Sequence, residues 1–168
     1  SFEASGSMFG VMLFPDLLRG LREMARVTKP GGEVLMVTFG SPAKVEFLTF
    51  FVGAVKRVIP DFAGLPMEPP PLPFQVSDPA KLRQAMSEAG LGAVRLATTT
   101  ETQEFASAEH LLDWLVSSNP IGAKLAGSLP ADKAPSVRDA LEAMLRKRSG
   151  GEGPARLTNA INIAVGTA

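Results

Sequence analysis

The sequence predicts an α/β domain built on a mainly parallel sheet. Three observations carry that expectation. Apolar runs of strand length alternate with segments of helical periodicity from end to end. The run over residues 33–39, Glu-Val-Leu-Met-Val-Thr-Phe, is apolar on both faces, as suits a strand covered on both sides. Glycine, proline and helix-capping residues punctuate the chain between these segments.

Taken in order, residues 8–14 form an apolar run short enough for a buried strand, closed by Pro15-Asp16. Asp16 can cap a helix to about Val27, with Leu17, Leu18, Leu21, Met24 and Ala25 on one face and Arg19, Arg22, Glu23 and Arg26 on the other. Lys29-Pro30-Gly31-Gly32 stops that helix and turns the chain into the strand at 33–39. A phenylalanine-rich helix is expected over 43–58, followed by a proline-dense loop over 60–73. Pro69-Pro70-Pro71 within it reads as a stiff connector, with a recognition ligand for another domain as the alternative. Ser77 or Asp78 caps the next helix, with Pro79 in its first turn and Gly90 at its end. A β-branched strand follows over 93–100. Ser107 starts a helix that Asn119-Pro120 breaks, 123–126 has helical character, and 134–148 is a long amphipathic helix. A glycine-rich loop over 149–154 leads to a closing strand over 157–165, in which Ile161, Ile163 and Val165 alternate with Asn162 and Ala164. No internal repeat is visible.

Composition narrows the function classes. The 168 residues are 45% hydrophobic and 20% charged, which suits one globular domain. Seventeen basic and 17 acidic side chains balance, against a broad phosphate-neutralising face for nucleic acid. The run Arg146-Lys147-Arg148 ends a predicted helix, where cations complement the dipole, and reads as a solvated terminus. The absence of cysteine excludes disulfides, thiolate catalysis and thiolate metal sites and fits the cytoplasm. With His110 as the one histidine, a histidine-based metal site within one chain is not expected. No apolar run approaches the ~18 residues of a membrane span, and residues 1–7 lack the pattern of a signal peptide. Neither nucleic acid nor membrane is expected as a partner.

The stretch from Phe9 to Phe39 is the informative one. It reads Phe-Gly-Val-Met-Leu-Phe-Pro-Asp, then a helix carrying Arg22-Glu23-Met24-Ala25-Arg26-Val27, then Lys29-Pro30-Gly31-Gly32 and a strand. It resembles the segment from the fourth to the fifth strand of class I S-adenosylmethionine-dependent methyltransferases of the ubiquinone/menaquinone-biosynthesis type. Ala89-Gly90-Leu91 resembles the end of the helix before that family's sixth strand, and Asn162-Ile163-Ala164-Val165-Gly166 its antiparallel seventh. The resemblance implies the last four strands of a Rossmann-like sheet in one domain over 1–168, with cap-like insertions at 43–76 and 105–154. It implies methyl transfer from S-adenosylmethionine to a small organic acceptor. The family's Gly-x-Gly-x-Gly loop after a strand, and the acidic residue that follows it, have no counterpart here. Gly150-Gly151-Glu152-Gly153 follows a helix and reads as a plain loop. Cofactor binding by this chain alone is therefore expected to be incomplete, with a completing N-terminal segment or a homodimer as the remedy.

In that family the reaction lies at the carboxyl ends of the strands. The resemblance then makes Ser7, Met8, Phe9 and Met12 candidates for the cofactor, and Phe39, Phe47, Phe51 and Trp114 candidates for an apolar substrate wall. A phenylalanine face at helical spacing is equally the signature of a core. His110 and Trp114 lie one helical turn apart, and His110 is the candidate general base, or else an exposed polar residue at a helix start. Two other readings stand beside the enzyme: a non-catalytic module pairing through a sheet edge, and an apolar-ligand carrier built from the cap helices.

Overall fold

The computed structural model describes residues 1–64, 68–118 and 120–168. Part of the expected 60–73 loop and Asn119 of the expected helix break lie outside these residues. The described elements run in the order β1 (Phe2–Met8), α1 (Leu17–Val27), β2 (Thr28–Phe39), α2 (Glu46–Val58), α3 (Pro79–Glu88), β3 (Gly92–Phe105), α4 (Ala108–Ser118), α5 (Pro120–Gly127), α6 (Ala134–Ser149) and β4 (Ala155–Thr167). Short 3-10 turns occur at Val11–Leu13, Pro42–Lys44 and Leu72–Phe74. The four strands form one sheet in the order β1-β2-β4-β3. β1 pairs parallel to β2, and β4 runs antiparallel to β2, as the closing strand was expected to.

The chain divides into two compact units. The first comprises residues 1–42, described residues of 67–101, and 160–168. Its core holds Leu21 of α1, Val34 and Met36 of β2, Leu82 and Met86 of α3, and Ala164 of β4, all fully buried. Asp16 Oδ1 accepts from the Arg19 amide at 2.9 Å and Asp78 Oδ1 from the Ala80 amide at 2.8 Å, so both helix starts are capped where the sequence places them. The second unit comprises described residues of 43–66, and 102–159. There α2 packs along α6, and Val45, Phe47, Phe51, Leu111, Leu115, Leu141 and Leu157 are fully buried. Glu46 ties this unit together. Its Oε2 accepts from the Thr158 amide at 2.6 Å and hydroxyl at 3.0 Å, and from Arg148 at 2.7 Å.

Two expectations are corrected. The first strand is not the apolar run at 8–14 but the more polar Phe2–Met8 before it. β1 is an edge strand with mostly exposed side chains, so small and polar residues suit it. At Phe9 the backbone enters the left-handed region (φ 55°), and Val11–Leu13 then coils into a 3-10 turn whose Val11 and Met12 are buried. The second correction concerns Pro30-Gly31-Gly32, which lies within β2 and not in a turn ahead of it. The β1–β2 register is irregular between Phe2 and Ala4, Gly31 has φ 83°, and the Gly31 amide donates to the Ala168 carbonyl at 2.9 Å. A Cβ on Gly32 would lie 2.5 Å from the Glu3 carbonyl oxygen, so glycine there is a matter of space.

Candidate active site

In a parallel pair, the carboxyl ends of the strands leave side chains and loops free to meet a ligand. Here β1 ends at Met8 and β2 at Phe39. The Phe9 amide continues the pairing, donating to the Val37 carbonyl at 2.9 Å. Because Phe9 is left-handed, its half-buried ring turns onto Phe39, with centroids 4.8 Å apart. Phe74, from the Leu72–Phe74 turn, meets Phe39 from another direction at 5.9 Å. The next residue, Gln75, donates from Nε2 to the carbonyls of Met12 (2.7 Å) and Phe14 (3.1 Å), clamping the loop that leaves β1. Ser7 Oγ accepts from the Val11 amide at 2.8 Å and closes the same loop from within. The result is an aromatic cluster at the strand ends, on a loop fixed by two side chains.

The residue before Phe39 in β2 belongs to a polar pair. Thr38 and Asn162 face each other across β2 and β4, and both are fully buried. Asn162 accepts from the Thr98 hydroxyl at 2.7 Å and donates to the Ser77 carbonyl at 2.9 Å. Thr38 Oγ1 has no hydrogen-bond partner among the described residues. Burial pushes the Glu101 carboxyl above its usual range. Beside α1, a groove of about 570 Å³ is lined by Val11, Phe14, Gly20, Met24 and Val27 with Asp16, Arg19 and Glu23. It contains none of the cofactor, substrate or catalytic candidates named from the sequence.

Of those residues, the structure gathers Ser7, Phe9, Met12 and Phe39 around the end of β1 and β2. Met12 is buried, whereas Met8 is 72% exposed. Phe47, Phe51, Trp114 and His110 belong to the second unit. There Trp114 meets Phe47 edge-on at 4.8 Å and Phe105 at 5.7 Å, and Phe105 in turn meets His110 at 5.5 Å. The exposed His110 accepts at Nδ1 from the Ala106 amide (3.3 Å), which puts the proton of its neutral ring on Nε2. Its own amide donates to Ser107 Oγ at 3.1 Å, which caps α4. Glu142 Oε2 accepts from the Ala108 amide at the same helix start (2.8 Å), and this bond lowers its carboxyl pKa. Sequence reading missed Phe74 and Gln75. They sit in a proline-rich connector whose composition says only that it is stiff.

The comparisons say what this strand-end arrangement resembles. Residues 1–67 match the model of the ubiE/COQ5 methyltransferase family. The match marks these residues as similar to that family and leaves the rest of the chain unmatched by its model. The matched part carries β1, α1, β2 and the Phe9–Phe39 pair, so the resemblance drawn from residues 9–39 holds. Among curated proteins, the demethylmenaquinone methyltransferase of Mycobacterium marinum is 35% identical over 101 residues, covering 56% of this chain and 44% of that protein. The demethylmenaquinone methyltransferase of Corynebacterium efficiens is 40% identical over 63 residues, covering 38% of this chain and 27% of that protein. The chain thus spans less than half the length of these curated relatives. Among solved structures, a Bacillus halodurans protein of proposed methyltransferase activity superposes with a TM-score of 0.50 at 16% identity, over 99% of this chain and 64% of that one. That likeness shows the Rossmann-like methyltransferase fold.

Proposed function

We propose that the protein carrying this chain transfers a methyl group from S-adenosylmethionine to a small apolar aromatic acceptor of the demethylmenaquinone kind. The observation that carries the reading is the Phe9–Phe39–Phe74 cluster at the carboxyl ends of β1 and β2, two of its rings inside the family-matched span. A flat acceptor ring is held best by offset or edge-on aromatic neighbours. Relatives named for demethylmenaquinone support that choice of acceptor. A small molecule is the one partner that the reading requires, and it suits a cytoplasmic protein.

The residues present fit one wall of the cofactor site. Ser7, Met8, Phe9 and Met12 would lie against the cofactor as a largely apolar lip. The polar groups of that lip are already engaged, Ser7 Oγ with Val11, the Phe9 amide with Val37 and Asp16 with Arg19. This lip therefore does not supply the groups that would hold the cofactor's ribose and carboxylate, and a completing segment or a second copy of the chain would supply them. The bound cofactor supplies a methyl group on a sulfonium, already activated for displacement. The chain's own part is then to exclude water, to hold the acceptor ring and to fix its distance. Forming the new carbon–methyl bond breaks a ring carbon–hydrogen bond of the acceptor, and the released proton passes to a base outside the aromatic cluster, whose side chains cannot accept it. In the second unit, Phe47 and Phe51 act as core that holds Trp114, whose half-buried face is the surface offered there, and His110 orders the start of α4.

The test is a split of kinetic constants. Phe39→Leu keeps an apolar side chain and removes the ring. The expected result is a rise of about 3- to 10-fold in KM for a short-chain demethylmenaquinone analogue, the worth of one aromatic pair, with KM for S-adenosylmethionine unchanged. A change confined to the S-adenosylmethionine KM would contradict the assignment of Phe39 to the acceptor.

A further inference from the structure

The basic run Arg146-Lys147-Arg148 is explained by the helix dipole only if those cations face water alone, and within the second unit they do not. Packing of α2 on α6 opens a surface groove of about 350 Å³ lined by Phe50, Arg57, Met144, Lys147 and Arg148. Phe50 and Arg57 lie two turns apart on one face of α2. Met144, Lys147 and Arg148 lie one turn apart on α6. The helices approach closely because α2 has Gly53 at the contact: a Cβ there would stand 3.2 Å from Met144 Cε. The floor is therefore apolar, from the half-buried Phe50 and Met144. The rim is cationic. Arg148 is held by Glu46 and Arg146 by Glu142, but Arg57 and Lys147 are exposed and have no ion-pair partner among the described residues. Lys56 extends the patch, and between Phe47 and Val58 α2 carries no acidic residue.

Apolar side chains set among unneutralised cations on paired helices have the chemistry of a surface that lies on anionic lipid headgroups. We propose that the α2–α6 face docks the protein on the anionic headgroup layer of a bilayer. Arg57 and Lys147 at the rim meet lipid phosphates, and Phe50 and Met144 form the apolar floor beneath the bound headgroups. Charge complementarity selects this occupant: a neutral apolar partner would leave both cations buried without counter-charge. The docking is peripheral. No helix among the described residues is long and apolar enough to cross a membrane. It replaces both the expectation of no membrane partner and the reading of the run as a merely solvated terminus. It stands independently of the methyl-transfer reading.

The experiment is co-sedimentation of the protein with vesicles of phosphatidylcholine alone and of phosphatidylcholine mixed with phosphatidylglycerol. Binding is expected with the mixed vesicles only, and to weaken as salt is raised. The double variant Arg57→Gln/Lys147→Gln should partition about 30-fold less, from roughly one factor of five per cation. Arg22→Gln/Lys81→Gln, an equal loss of charge on the first unit, should partition as the native protein does. Matching circular dichroism spectra establish that all variants are folded. Equal sedimentation with both vesicle types would overturn the proposal. So would an equal loss from the Arg22/Lys81 pair, or retention on single-stranded RNA with no vesicle binding.

Discussion

Phe9 is a bulky residue held at φ 55°, a conformation that costs an L-residue about 1–2 kcal/mol. Strain of this size persists where the surroundings over-determine it, and here they do: its amide pairs with Val37 and its ring stacks on Phe39. Nothing in the residues Phe9-Gly10 announces this, because the sequence offers Gly10 as the natural left-handed position, yet Gly10 is right-handed. The two glycines after Pro30 divide the roles of conformation and space. Gly31→Ala is expected to cost about 1–2 kcal/mol for its positive φ, and Gly31→Asn to recover part of that loss, since asparagine tolerates the left-handed region. Gly32→Ala is expected to cost about 1–3 kcal/mol because the Glu3 backbone stands in the way, and Gly32→Asn should do no better. Urea denaturation midpoints of the four variants check both statements. The Pro-Gly-Gly motif was thus readable as a family mark, while its place inside a bulged strand was not.

At the scale of elements, single carboxylates join helices to strands. Glu46 receives bonds from Thr158 and Arg148, so Glu46→Ala is expected to lower stability by about 1.5–3 kcal/mol. A thermal melt of the variant would reveal it. Glu142 and Glu101 should respond to pH in opposite senses. Glu142 has a folded pKa below its unfolded one, so its contribution is present above the unfolded pKa and is lost as pH falls through the folded value. Glu142→Gln should flatten the acid-side loss of stability. Glu101 has a folded pKa raised by burial, so its favourable contribution is present below the unfolded pKa and lost as pH rises through the folded one. Glu101→Gln should stabilise near neutral pH and lose that advantage at about pH 3. Denaturant midpoints measured across that range decide each slope. Helix positions were legible because caps and periodicity act locally, as Asp16 and Asp78 show. The first strand was not, because an exposed edge strand such as Phe-Glu-Ala-Ser-Gly-Ser-Met carries no apolar alternation to read.

For the whole molecule, the order of strands and helices follows from the sequence because each segment keeps its own period, whereas the antiparallel direction of the closing strand was implied by the family resemblance alone. The aromatic cluster is only half legible. Phe9 and Phe39 fall at strand ends that the family pattern marks, but Phe74 arrives through a proline-rich connector, and no local pattern tells that it will stack on Phe39. The division into two compact units is likewise a property of contacts between residues distant in sequence. The similarity to the ubiE/COQ5 methyltransferase family covers residues 1–67, and the methyl-transfer reading is our proposal for the protein that carries this span. The most direct measurement is transfer of labelled methyl from S-adenosylmethionine to a short-chain demethylmenaquinone analogue by that protein. Label recovered in the quinone, and lost when Phe39 and Phe74 are both replaced by Leu in a protein that still binds S-adenosylhomocysteine, is the predicted result. Binding of S-adenosylhomocysteine without any label reaching the quinone, or undiminished transfer by the double variant, would contradict it.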